Sequence, residues 1–507
     1  MEQARRTLEE QLARTVSESN ARNDQVQRLT RDRDQVWQSP ERRLGDLLLN
    51  RSRLRRVIDW TARTLTSVGQ SANQARLGWE RRATERGRTR VVATICSNFP
   101  IYSQTFVHQE LSQLLKVGPA LRIIYSQRDP REQLGPQFDH LWSLKRRLFL
   151  NRRKHQRDLE HYRERMPDRF GTLVSKLCDA SGLSRDNLMS HDNFLQAFTF
   201  TRMVEAYQPE YLHSYFFYDR SLMALVAAYL LQIPRGVTSY ADHELKDYEL
   251  KVVGLHVELA DLVVATSARI KRELIAIAPA ANPEKIIVKP NGVDTSSFSV
   301  MARSEPGEGV YRVVSVCRIE PKKGLIYLVE AIGILRDRGV RVEAHFVGAA
   351  DEWSPASVAC KQELDRRISE LNLWGTVHLE GRQNADSVRR FLSISQLFVA
   401  PFIETESGDK DGIPTALLEG MATGLPAVAT DSGSITEVIT EGVDGLIVPQ
   451  RDGLALANAI ETLLLDPDRR AQFAVAAAAK VRREFDAATC EQVFHDRMRE
   501  ITRARRA

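Results

Sequence analysis

The stretch DGIPTALLEGMATGLP, residues 411–426, decides the reading of the C-terminal half of this chain. It sets two carboxylates, Asp411 and Glu419, eight positions apart around a pre-organised helix start. Pro414 has the fixed φ of a first helical turn, and its missing N–H would find no intrahelical partner there anyway. Gly424 supplies a C-terminal stop, so the pattern predicts a helix over about 414–423. The free N–H groups and positive dipole end of that helix face whatever lies before Gly412 and Ile413. Such an end is a ready site for a diphosphate. Glu419, inside the helix, offers acceptors to a pair of hydroxyls.

Working outward, 313–316 reads as a strand, and Leu325, Leu328, Ile332 and Leu335 mark one face of a helix that ends before Gly339. Residues 344–347 read as the next strand, and further units follow at 376–380, 385–395, 397–401 and 426–430. An earlier series has apolar runs at 91–95, 120–125, 236–240 and 261–266. These alternate with helical segments near 104–116, 194–206, 220–232 and 267–278. The simplest account is an α/β chain of two Rossmann-like domains, 90–300 and 301–485, joined near 295–310. A closing helix, 486–507, is placed to pack back on the first domain. Ligands of such sheets bind beyond the carboxyl ends of the strands, the side that holds Arg318, Asp411 and the loop 431–434. The first domain has Ser97, Asn98, Phe99 and Pro100 where a G-x-G-x-x-G fingerprint would stand, so no nicotinamide or flavin cofactor is expected.

Composition sets the outer limits. The chain has 507 residues, 43% hydrophobic and 27% charged, enough for two sizeable globular domains. The longest apolar run, 222–231, is about half of a bilayer crossing. Cysteines 96, 178, 317, 360 and 490 show neither metal-ligand nor paired spacing, which fits a reducing cytoplasm. Residues 1–90 hold 20 Arg, no Lys and 12 acids, so the basic character belongs to the extension 1–89. The extension is expected to be helical, with a heptad seam through Leu8, Leu12, Val26, Leu29 and Val36 that offers a marginal coiled coil and self-association through 1–40. A solvated, partly disordered linker stays open beside it. In the insertion 131–190, Leu141, Leu144 and Leu148 are expected on one helix face beside Arg146, Arg147, Arg152, Arg153 and Lys154. Contact with an anionic membrane surface and a merely solvated helix face both stay open.

The segment 411–426 resembles the E-x7-E signature of the family 4 retaining glycosyltransferases, with Asp411 where the family usually has its first Glu. VKPNGVDTSSF (288–298), VCRIEPKKG (316–324) and EGVDGLIVP (441–449) fit the same family in order and spacing. FPIYSQTFVHQEL (99–111) looks closest to the branch that builds exopolysaccharides such as colanic acid. The resemblance implies the GT-B arrangement, two Rossmann-like domains facing a cleft. It also implies a metal-independent enzyme whose co-substrate is a nucleoside diphosphate sugar and whose acceptor is a glycan or a lipid-linked sugar.

Carried over residue by residue, Arg318 and Lys323 take the donor phosphates, Glu419 the ribose hydroxyls, and Asp411, with Gly412, Ile413 and Pro414, the transferred sugar. Arg382, after VHLEG, and Asn291 are placed near the donor. Many relatives have a His contacting the donor sugar where this chain aligns Tyr240. The Tyr240 hydroxyl is one substitute for that hydrogen bond and His243, just beyond, another, with a solvent-facing loop histidine the ordinary alternative for His243. Ser103, Gln104 and His213 are candidates for the acceptor side of the cleft, with a helix N-cap the alternative for Ser103 and a satisfied core histidine the favoured alternative for His213. No nucleic-acid partner and no metal are expected, and the chain is expected in the cytoplasm, with peripheral contact to the plasma membrane left open. Two rivals remain beside the transferase: a catalytically silent scaffold of the same fold, favoured by the Tyr240 and Asp411 departures, and a sugar-nucleotide epimerase.

Overall fold

The computed structural model describes residues 52–83, 88–99, 105–128, 136–218, 221–240, 245, 249–301 and 309–505. The heptad seam and self-association assigned to 1–40 lie outside the described residues, as do Ser103, Gln104 and His243.

Seven strands form the first sheet: β1 (Arg90–Phe99), β2 (Ala120–Arg128), β3 (Lys145–Arg147), β4 (Tyr211–Tyr215), β5 (Arg235–Ser239), β6 (Leu262–Ala265) and β7 (Ile286–Val288). Six form the second: β8 (Tyr311–Val316), β9 (Val342–Val347), β10 (Val377–Gly381), β11 (Leu397–Ala400), β12 (Ala427–Thr430) and β13 (Gly445–Val448). Every pairing is parallel, in the orders β3-β2-β1-β4-β5-β6-β7 and β10-β9-β8-β11-β12-β13. Helices cover both faces, so β4, β5, β6, β11 and β12 are buried along their whole length. This is why β6, β11 and most of β12 read as continuous apolar runs rather than alternating ones. Each chain half begins in the middle of its sheet, builds to one edge and then crosses to the other side. The crevices this topology opens lie between β1 and β4 and between β8 and β11.

The second sheet is sandwiched between two cores. Val313, Leu328, Ile332, Leu335 and Val399 pack on one face, and Val314, Phe398, Leu417 and Met421 on the other. The last helix, Ala487–Ala504, leaves this domain altogether. Its Phe494 and Met498 are buried with Val91, Val107, Leu111 and Leu262 of the first. The chain therefore crosses between the halves twice. The two crossings are bonded to each other, Val293 N to the Phe485 carbonyl and Ala487 N to the Val293 carbonyl, both at 2.9 Å.

Ahead of the first sheet, helix Ser52–Ala83 docks on the β3 edge. Arg122 donates to Glu80 at 2.6 Å, Arg146 pairs with the same carboxylate, and Asn73 donates to the Arg147 carbonyl at 2.7 Å. Burial pushes the Glu80 carboxyl up, but the two guanidiniums outweigh it and hold it below the usual range. This corrects the expectation for the insertion. Leu141, Leu144 and Leu148 do not share one helix face: the chain makes a 3-10 turn, Pro136–Leu144, and then joins the sheet as β3. Leu141 and Leu148 are buried, and so is Arg146. No helix among the described residues is long and apolar enough to cross a membrane.

Candidate functional site

The loops after β8 and β11 meet at the crevice of the second sheet. Arg318 follows β8 directly, and the short turn Pro321–Lys323 then ends at Gly324, with φ of 56°. A Cβ on Gly324 would come within 2.0 Å of the Pro401 carbonyl oxygen, so only glycine lets the two loops pass this closely. That approach brings Lys323 onto Asp411, to which it is bonded, and 4.2 Å from the centre of the Phe402 ring. Lys322 pairs with Asp409 at 3.2 Å and lies 3.7 Å from Asp411. Burial alone would raise the Asp411 carboxyl; Lys323, Lys322 and Arg318 overcome it and hold the group ionised, below the usual carboxylate range. Arg318 is 2.6 Å from Glu320 and keeps 56% of its side chain exposed, facing the cleft.

The predicted helix is Thr415–Ala422, with Pro414 one step earlier, in the N-cap position, and no side chain capping its first turn. Its leading N–H groups open on a cavity of about 1130 Å³ lined by Gly412, Ile413, Pro414 and Thr415 together with Arg318, Lys322, Lys323 and Asp411. The opposite wall comes from the first domain: Phe106, Phe216, Tyr218, Tyr240 and Asn291. Phe216 holds φ at 67°, a costly conformation for a bulky residue, fixed by its N–H to Thr238 at 2.8 Å and by the Ser221 hydroxyl on its carbonyl at 2.7 Å. A wall of paired charges, Arg318, Lys322 and Lys323 against Glu320, Asp409 and Asp411, thus faces an aromatic one.

Glu419 lies one turn further along the helix and does not line this cavity. It is half-buried, and burial pushes its carboxyl up to about 7 against the pull of Arg389. Arg382 is exposed just past the end of β10 and also stands outside the cavity wall. His213 does not face the cleft. It is within β4, fully buried, bonded to Thr238 at 2.8 Å and edge-on to Phe494. Burial drops its imidazole to about 4, so it is a neutral core residue. Tyr240 lines the cavity with its ring, but its hydroxyl turns inward to Glu110 at 3.1 Å rather than toward a donor sugar. Sequence reasoning passed over Lys322, although it adjoins Lys323, and over the aromatic wall, whose signal was the cluster YFFY at 215–218.

Residues 299–480 match the family model described as Glycosyl transferases group 1, and residues 182–297 the model described as Glycosyltransferase Family 4. AmsK of Erwinia amylovora, an amylovoran biosynthesis glycosyltransferase, is 31% identical over 226 residues, 45% of this chain and 53% of that protein. WcaL of Salmonella typhimurium, provisionally named a colanic acid biosynthesis glycosyltransferase, is 32% identical over 205 residues, 40% of this chain and 48% of that protein. The chain spans about half the length of these relatives. The crystal structure of HepE from Anabaena, in complex with UDP, superposes with a TM-score of 0.59 at 16% identity, over 81% of this chain and all of that one, and so shares the fold. The two family models meet at the crossover between the two sheets, and by them the chain carries a Glycosyltransferase Family 4 region followed by a Glycosyl transferases group 1 region.

Proposed function

We propose that this protein transfers a sugar from a nucleoside diphosphate sugar to a hydroxyl of a glycan or lipid-linked acceptor, with retention at the anomeric carbon. The observation that carries the reading is the convergence of Arg318, Lys323 and an uncapped helix N-terminus at Gly412–Thr415 on one cavity between two domains. Breaking the bond between the sugar and the diphosphate places charge on the leaving oxygens, and fixed cations lower that barrier. Arg318 grips phosphate oxygens with a planar fork and Lys323 adds a point charge, so the step runs without a metal. The bond from the anomeric carbon to the diphosphate breaks as the acceptor oxygen bonds the same face. The acceptor proton passes to the leaving phosphate oxygen. Glu419 accepts from the ribose hydroxyls, and Asp411 and Gly412 hold the transferred sugar.

The names of the matched relatives, amylovoran and colanic acid biosynthesis, support polysaccharide assembly as the setting. The uncharged wall of Phe106, Phe216, Tyr218 and Tyr240 supports a neutral acceptor on the first-domain side. A lipid-linked acceptor would place the reaction at the cytoplasmic face of the membrane. Calorimetric titration of UDP, GDP and ADP into the wild type and into Arg318→Ala/Lys323→Ala tests the reading. One nucleotide binds the wild type selectively and the double variant not at all. A folded wild type that binds none of the three leaves the silent scaffold as the better account.

A further inference from the structure

Beside the site, the two halves of the molecule complete each other's secondary structure. Helix Ala268–Ile277 belongs to the first domain, yet two of its four leading N–H groups are bonded by the second. The Glu437 carboxylate accepts from Ala268 at 2.7 Å and from Arg269 at 2.8 Å. The other two are met locally, Ile270 N by the Ser267 hydroxyl and Lys271 N by the Ser267 carbonyl, both at 3.1 Å. Ser434, also of the second domain, donates to the Ser267 hydroxyl at 2.9 Å. A carboxylate on a helix N-terminus makes charge-assisted bonds and is favoured by the dipole. Here that stabilisation exists only where the domains meet.

Arg269 extends the contact into the donor side of the cleft. Its Nη1 is fixed by Glu273 one turn on, at 2.7 Å, while Nε donates to Ser434 at 3.1 Å and Nη2 to the Asp411 carbonyl at 3.4 Å. That carbonyl lies against Gly433, where φ is 60° and a Cβ would come within 2.0 Å of it. The main chain of Asp411 is therefore held between a glycine of its own domain and a guanidinium of the other. Arg318, Lys323 and Glu419 need no such help, because all three stand on the second domain.

We propose that Arg269 is a positioning residue for the sugar-binding end of the donor site and that Glu437 is the latch that brings it there. The inference rests on the donor reading given above. The second domain alone can bind a nucleoside diphosphate, but the Asp411–Gly412 turn takes its working geometry only when the first domain closes on it.

The test uses the full chain, with Arg269→Ala, Arg269→Lys and Glu437→Gln, read by local hydrogen–deuterium exchange, UDP calorimetry and thermal melting. In Arg269→Ala, exchange across 411–415 speeds up by about tenfold or more, while UDP affinity stays within about threefold and the melting temperature holds. Arg269→Lys does not restore slow exchange, because a point charge cannot span Asp411 and Ser434 together. Glu437→Gln speeds exchange at both 268–271 and 411–415. Unchanged exchange at 411–415 in Arg269→Ala, or full rescue by lysine, overturns the proposal. A loss of UDP affinity in step with a lower melting temperature overturns it too, since it marks a merely structural residue. If the wild type binds no UDP, the donor reading is in trouble, and the exchange at 411–415 still decides whether Arg269 positions Asp411.

Discussion

The Lys323 ammonium is bonded to the Asp411 carboxylate, across the gap between the loops that follow β8 and β11. In the proposed reaction a donor diphosphate at this place would compete with Asp411 for the same cation, and Lys323 would link the charge of the leaving group to the residue assigned to the sugar. Lys323→Ala is expected to lower turnover by about 100-fold or more. Lys322, 3.7 Å from Asp411, remains as counter-charge, so the variant keeps its fold. Rates beside circular dichroism melting curves check this, and a folded variant with normal turnover removes Lys323 from the mechanism.

If Glu419 takes the ribose as proposed, nucleotide binding depends on pH. Burial pushes its carboxyl up to about 7, and the ionised form accepts from two ribose hydroxyls more strongly than the protonated form, which keeps only part of its acceptor capacity. Binding therefore releases a proton near neutrality, and affinity rises with pH, by about tenfold between pH 6 and pH 8. Titrations of UDP in buffers of different ionisation enthalpy measure the released proton. Glu419→Gln flattens the profile; a wild type whose affinity is level from pH 6 to 8 places the ribose elsewhere.

Lys289 is fully buried between two carboxylates, Glu110 of helix Thr105–Lys116 and Glu491 of the last helix, at 2.7 Å from each. Lys289→Met leaves two buried acids without a cation and is expected to cost about 3–5 kcal/mol in urea unfolding. Burial pushes Glu491 up to about 7, with Lys289 opposing and Glu110 adding to the rise. Its folded value exceeds the unfolded one, so the folded state holds the extra proton, and stability falls as pH climbs from about 4.3 toward 7. Glu491→Gln removes that decline; a variant with the wild-type slope assigns it to another group.

Glu80 ties the N-terminal helix to the first sheet. Its folded pKa is depressed, so its contribution is present above the unfolded value, about 4.3, and is lost as pH falls through the folded one. Glu80→Ala strands Arg122 and Arg146 beside each other and is expected to cost about 3 kcal/mol or more. Limited trypsin digestion reads the result directly, because helix Ser52–Ala83 carries many arginines that become cleavable once it lifts off. Wild-type resistance in the variant shows that Leu77 and its neighbours hold the helix without the ion cluster.

Much of this architecture was legible in the sequence, because strands covered on both faces tend to be apolar, as 262–265 and 397–400 are, and because Pro414 and Gly424 punctuate one short helix. The second-domain loops were legible through the family resemblance, since an Arg and a Lys in a loop are by themselves more often solvated charge. Contacts between distant segments were not. Nothing local in YLHSYFFY shows that His213 meets Phe494 from the last helix, or that the Tyr240 hydroxyl is claimed by Glu110. Arg146 looked like surface charge because its counter-ion, Glu80, is 66 residues away. Lys145–Arg147 became a strand through pairing with β2, not through propensity.

The return of Ala487–Ala504 to the first sheet reverses the usual order of assembly. A ribosome delivers the N-terminal half first, yet the socket for Phe494 and Met498 stays open until the final stretch has emerged, by which time the C-terminal half is already made. The half that is born first is completed last, and a chain cut short before Ala487 would leave it with an uncovered apolar face for chaperones and proteases to find.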